Sequence, residues 1–149
     1  MHLARLSALF LLGAAVGCAP SPVVQYYPTP TPAGQTPLPF SSAVRVGDML
    51  YLAGQIGTDS TGRLVPGGIE PETRQTLENI REALGRAGSS MDRVVKCTAM
   101  LADMAEWDRM NAIYRTYFKP DRMPARSAFG STALARGARI ELECWAAAR

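Results

Sequence analysis

The chain is short of several residues on which protein chemistry usually depends. It has one histidine among its 149 residues, His2, and that residue lies in an N-terminal segment expected to be removed. A mature chain then carries no imidazole. This excludes a Ser-His-Asp triad, a Cys-His pair, a histidine-based nuclease and any histidine-ligated metal. Acid–base chemistry falls to Asp, Glu, Tyr, Cys or an ordered water. Lysine is nearly absent too, with only Lys96 and Lys119, so the basic side is almost all arginine. The formal net charge of +3 is small and the basic residues form no run. No nucleic-acid partner is expected from such a surface. Gly-rich phosphate loops, CxxC pairs and carboxylates at metal-binding spacing are missing as well, so neither cofactor nor metal is expected.

No apolar run reaches the roughly 20 residues that a membrane-spanning helix needs. The longest useful run, Leu6 to Val16, follows a short basic start and has the length of a secretory h-region. It ends in Ala15-Val16-Gly17-Cys18, which resembles a bacterial lipobox. Residues 1–17 are therefore expected to be a lipoprotein-type signal peptide and Cys18 the lipidated N-terminus. Membrane attachment would be through that lipid, in the cell envelope, periplasmic or at the outer membrane. Residues 19–39 carry seven prolines in 21 positions. Such density is expected to exclude helix and sheet and to leave an extended tether over residues 18–39.

The composition changes near Phe40, and residues 40–149 read as one domain. Val44/Val46 and Met49/Tyr51 alternate with their neighbours around Gly47-Asp48, which predicts a β-hairpin. Residues 70–88 predict a helix. Pro71 suits its first turn, and Glu70 and Glu72 suit the positive end of its dipole. Leu77, Ile80, Leu84 and Ala87 form an apolar stripe, and Gly88 is a stop. Residues 93–101 alternate as a strand. Asp103 and Glu106 then have capping-box spacing before a second helix, whose buried side is expected to hold Met104, Trp107, Met110, Tyr114 and Tyr117. Two extended segments close the chain. The order β-β-α-β-α-β-β, with helices segregated from the sheet, gives an α+β class.

Two residues stand out as site candidates. Arg126 begins a strand in "MPARSAFG" and is either a solvated charge or a fork aimed at a carboxylate. Glu141 lies in "RIELECW", where Ile140, Leu142 and Cys144 share one strand face and Arg139, Glu141, Glu143 and Trp145 the other. That second face is either solvated or set against a neighbouring subunit. Cys97 and Cys144 fall on apolar strand faces and are expected to be buried free thiols, with a disulfide between them as the alternative in an oxidising compartment.

The stretches "PFSSAVRVGDMLYLAGQIGTDSTGRLV", "ETRQTLENIREALGRAGSSMDRVVKCTAML", "MNAIYRTYF" and "PARSAFG…ARIELECWA" resemble the reactive-intermediate deaminase family. This family is also called RidA, YjgF or L-PSP endoribonuclease-like. The resemblance implies a chorismate-mutase-like sheet with two helices on one face, and a homotrimer with sites in clefts between subunits. It also implies cofactor-free, metal-free hydrolysis of 2-imino acids, small carboxylates, to 2-oxo acids and ammonia. By the same resemblance Arg126 matches the carboxylate-binding arginine and Glu141, fifteen positions on, the glutamate that holds the attacking water. Gly54 and Ala128 match backbone positions beside the substrate, and Asn111 an asparagine near the cleft. Phe40 stands where the family has a tyrosine. A non-catalytic carboxylate-binding envelope protein and, more remotely, an endoribonuclease are the alternatives.

Overall fold

The structure is a computed structural model and describes residues 21–31, 34 and 36–149. The expected signal peptide and Cys18 lie outside these residues. The described chain forms one mixed sheet with two helices. Its strands are β1 (Val24–Pro28), β2 (Ser41–Val46), β3 (Met49–Leu52), β4 (Gln55–Ile56), β5 (Val94–Leu101), β6 (Ala125–Gly130) and β7 (Ile140–Ala147). The helices are α1 (Ile69–Arg86) and α2 (Trp107–Tyr114). The spatial order is β1-β2-β3-β7-β5-β6, with the short β4 also pairing with β7. Only β5 and β6 run parallel.

The β2–β3 hairpin turns at Gly47, whose φ of 57° is a conformation that glycine adopts without strain. Helix α1 follows the expectation closely. Leu77, Ile80 and Leu84 are fully buried, each stabilising by about 1.5–3 kcal/mol relative to an exposed side chain. The helix stops in a Schellman arrangement: Gly88 at φ 75°, with the Ser89 N–H bonded to the Leu84 carbonyl and the Gly88 N–H to that of Gly85. Strand β7 alternates as read, with Ile140, Leu142, Cys144 and Ala146 buried beneath the helices.

Four expectations are corrected. The proline-rich segment does contribute to the sheet, because Val24–Tyr27 is a proline-free run that pairs antiparallel with β2 as an edge strand. Pro28 comes only at its end, where the register shifts, a position that proline tolerates. The order therefore begins one strand earlier than expected. Glu106 does not close a capping box. Asp103 accepts the Ala105 N–H at 2.9 Å as a cap, while the Glu106 carboxylate grips Arg139 through Nε (2.9 Å) and Nη2 (3.0 Å). Met104 is exposed rather than buried, although Met110 and Tyr114 do face the core.

The fourth correction concerns sulfur. Cys97 and Cys144 are joined in a disulfide. The β5–β7 register sets them directly opposite one another, with Cα atoms 4.1 Å apart and both side chains fully buried. Closely spaced antiparallel positions place Cβ atoms within bonding reach. The loop closed by the bond spans a separation of 47 residues. Reduction under native conditions is expected to lower the unfolding free energy by about 2–4 kcal/mol. Urea midpoints with and without reductant measure this, and coincident midpoints would contradict it.

Candidate active site

Arg126 lies on the edge strand β6, opposite Cys97 in the parallel register. It therefore projects to the helix-covered face. Its guanidinium sits 4.4 Å from the Tyr114 ring centroid and 4.9 Å from that of Trp107. Nη2 donates to Asn111 Oδ1 at 2.6 Å, and Nη1 approaches Met110 Sδ at 3.9 Å. Cation–π contact of this kind is worth about 0.5–2 kcal/mol. It fixes the plane of the fork without neutralising its charge. No carboxylate lies within salt-bridge distance of Arg126 among the described residues. The fork opens on a cleft of about 460 Å³ lined also by Asn111, Tyr114, Arg115, Met123 and Pro124. Ala128, two residues along the strand, shares the Arg126 face and packs on the core.

The Tyr114 hydroxyl beneath this fork is buried without a hydrogen-bond partner. Burial pushes its phenol up from an ordinary 10.0 to about 12, against the opposing pull of the Arg126 charge.

Glu141 projects from the opposite face of the sheet. It is one residue out of phase with Leu142 and three with Cys144, both of which are buried under the helices. It pairs with Ile56 across β4. Its carboxylate lies directly over Gly54, where an added Cβ would collide with it. Both residues line a cavity of about 500 Å³ together with Phe40, Ile56, Asp59 and Arg136. The structure thus brings Arg126, Asn111 and Ala128 together on one face, and Glu141, Gly54 and Phe40 on the other. Within one chain the two groups do not meet.

The sequence reading missed two supports of this geometry. Glu72, read as a helix-dipole acid, is buried. Its Oε1 accepts the Arg139 N–H at 2.6 Å and the Ile140 N–H at 3.3 Å. It thereby fixes where β7 begins, immediately before Glu141. Gly57 permits this, because a Cβ there would strike the Glu72 backbone and side chain. Arg136 is the only non-glycine residue with positive φ among the described residues, at 59°. Its Nη1 donates to the Gly62 carbonyl and ties two loops at the rim of the Glu141 cavity. No local sequence pattern signals either role, because each depends on a partner more than sixty residues away.

An edge-strand arginine held ready for an anion and a glutamate over a glycine, on a mixed sheet with two helices, define a small hydrolase-like class. The chain belongs to the Endoribonuclease L-PSP family, also called RidA or YjgF, whose model matches residues 31–148. It is 47% identical over 106 residues to the mouse 2-iminobutanoate/2-iminopropanoate deaminase, covering 70% of this chain and 78% of that one. The human protein of the same name is 46% identical over 106 residues, covering 70% and 77%. Among solved structures, RidA from an Antarctic Psychrobacter species is 30% identical with a TM-score of 0.71, covering 83% of this chain and 97% of that chain. The E. coli YjgF gene product is 29% identical with a TM-score of 0.69, covering 74% and 89%. The architecture is the chorismate-mutase-like fold of these neighbours.

Two outcomes are expected at Tyr114. In the folded protein its phenol ionises near pH 12, so its contribution to stability is complete below pH 10 and is lost as pH rises toward 12. Tyr114→Phe removes a buried unsatisfied hydroxyl and is expected to stabilise by about 1 kcal/mol at neutral pH. Alkaline absorbance titration and denaturation midpoints of both proteins check these outcomes.

Proposed function

We propose that this protein hydrolyses reactive 2-imino acids, or their enamine tautomers, to 2-oxo acids and ammonia, at a site completed by two copies of the chain. The observation that carries this reading is the disposition of Arg126 and Glu141. Each is open to a cavity, and they lie on opposite sheet faces, so a shared substrate requires one from each copy. Relatives named as 2-iminobutanoate/2-iminopropanoate deaminases, at up to 47% identity, support the reaction. Exposed apolar groups on the helix-free face, Val24, Tyr26, Tyr51, Phe129 and Trp145, support a covering by further copies. A homotrimer, implied by the family resemblance, is the assembly proposed.

In this mechanism Arg126 clamps the substrate carboxylate and fixes C2. Glu141 of a neighbouring copy orients a water and accepts its proton as the water oxygen bonds to C2. The C=N π pair passes to the nitrogen, which takes the proton held by Glu141; the new hydroxyl's proton follows through the same carboxylate, the C=O bond forms, and the C–N bond breaks to release ammonia. Gly54 keeps the Glu141 carboxylate low, and polar backbone near Gly54 and Ala128 steadies the tetrahedral centre. No step calls for a cofactor or metal. We place the protein in the cell envelope, anchored through Cys18, with the disulfide between Cys97 and Cys144 in keeping with an oxidising compartment. A second reading, a carboxylate-binding protein without turnover, draws on Phe40, which brings an aromatic ring without a hydroxyl to the Glu141 cavity.

The test generates imine with an amino-acid oxidase and traps it with semicarbazide. Arg126→Ala and Glu141→Gln are each expected to lower kcat/KM at least tenfold, following the roughly 1.5–3 kcal/mol carried by a charge-assisted hydrogen bond. Co-assembly of the two inactive variants is expected to restore part of the activity, because some interfaces then hold an intact Arg126 and an intact Glu141. Wild-type and Arg126→Ala rates that coincide would remove the deaminase reading. Failure of the mixture to recover would remove the shared site.

A further inference from the structure

Pro30 and Leu38, from the proline-rich stretch, and Phe40, which follows it, are built into the wall of the Glu141 cavity. The anchoring of the stretch is specific. The buried Ser42 hydroxyl donates to the Tyr27 carbonyl at 3.0 Å and lies 3.4 Å from that of Pro28. The Thr29 hydroxyl donates to the Phe40 carbonyl at 3.0 Å, closing the two ends of the stretch on each other. Thr31 in turn donates to the Thr29 carbonyl at 3.3 Å. The segment so held presents Pro30, Leu38 and Phe40 to the cavity, and β4 adds Ile56.

The charged groups of the cavity are Glu141, Asp59 and Arg136. Asp59 is occupied locally, accepting from the Thr61 N–H (2.8 Å), the Thr61 hydroxyl (2.6 Å) and the Arg63 N–H (3.1 Å). These bonds hold its carboxyl below the usual range. Arg136 is engaged with the Gly62 carbonyl. Glu141 is left as the group available to chemistry, beside a wall of proline, leucine, phenylalanine and isoleucine.

Size points the same way. A four-carbon 2-imino acid has seven heavy atoms, and even at the ~30 Å³ that a free water occupies, an upper bound for a bonded atom, it fills no more than roughly 200 Å³. The cavity measures about 500 Å³. A substrate limited to three or four carbons would leave more than half of this space, and with it the apolar wall, unfilled.

We infer that the substrates are 2-imino acids with bulky apolar side chains, branched aliphatic or aromatic, and that Pro30, Leu38, Phe40 and Ile56 form the subsite that selects them. This rests on the proposed deaminase reading. Pro30 and Leu38 are then specificity residues of the enzyme, held beside the clasp between Thr29 and Phe40. Apolar side chains gain affinity with each methylene they bury, so kcat/KM for imines derived from leucine or phenylalanine exceeds that for the alanine-derived imine by at least about tenfold.

The experiment measures this ratio with the trapped-imine assay on the full mature protein and on Leu38→Asp. Leu38 is 45% exposed, so aspartate is tolerated by the fold. It places a charge in the apolar wall and is expected to bring the ratio close to one. Calorimetric binding of 4-methyl-2-oxopentanoate against 2-oxobutanoate gives a second readout that needs no turnover. Hydrolysis of both imines with no preference for the bulky one overturns the subsite and leaves the deaminase reading intact. Tighter binding of the branched acid, lost in Leu38→Asp, with no hydrolysis of any imine, sustains the subsite and removes the deaminase reading. Equal binding of the two acids without hydrolysis overturns both.

Discussion

The antiparallel pairing of β5 with β7 is the constraint on which the rest of the molecule depends. It sets Cys97 against Cys144, Ala99 against Leu142 and Leu101 against Ile140, all buried. That register fixes which residues of β7 face the helices and, by the period of two, which face away. A slip of one residue would turn Glu141 into the core and expose Leu142. The disulfide fastens this pairing covalently at its middle, and Glu72 fastens the start of β7 by accepting the backbone N–H groups of Arg139, just before the strand, and Ile140, its first residue. The position of the candidate catalytic carboxylate is therefore set by core elements rather than by a loop.

The same register explains why the proposed chemistry needs more than one chain. β6 lies parallel to β5 with Arg126 opposite Cys97, so the arginine inherits the helix-side face while Glu141 inherits the other. Each half is prepared separately. The guanidinium is stacked and hydrogen-bonded but not neutralised, and the carboxylate is seated over a glycine at the mouth of a cavity. Groups of opposite charge placed side by side on one sheet face would pair with each other and lose their readiness for substrate. Separation by the thickness of the sheet prevents this, and in the proposed assembly the two meet only across an interface between copies.

Much of this was legible in the sequence where the physics is local. The stripe of α1 and its Gly88 stop, the Gly47 turn, and the alternation of β7 all follow from periods of 3.6 and 2 and from glycine's access to positive φ. The family motifs marked Arg126 and Glu141, and both emerge open to cavities. What escaped was long-range. The Asp103–Glu106 spacing fits a capping box, yet Glu106 finds a better partner in Arg139, thirty-three residues on. Proline density hid β1, because four proline-free residues are enough to pair with an edge whose other side stays in solvent. The disulfide was unreadable because thiol proximity is a property of strand register, and spacing along the chain does not reveal register. The opposite orientation of Arg126 and Glu141 escaped for a related reason: each strand shows its own alternation, but the relative phase of two strands is set by the strands that lie between them.

The disulfide also gives the chain a history. Before the thiols meet an oxidant, the 47-residue separation between Cys97 and Cys144 is unconstrained in the unfolded ensemble, and the domain opens more readily. After oxidation that freedom is gone. For a chain bearing an export leader of the kind expected here, the order of events matters: the loosely held form is the one that can be threaded through a membrane, and the fastened form arises only on the far side. In the envelope location proposed, a single bond between two central strands would let one sequence be pliable in transit and firm at its destination.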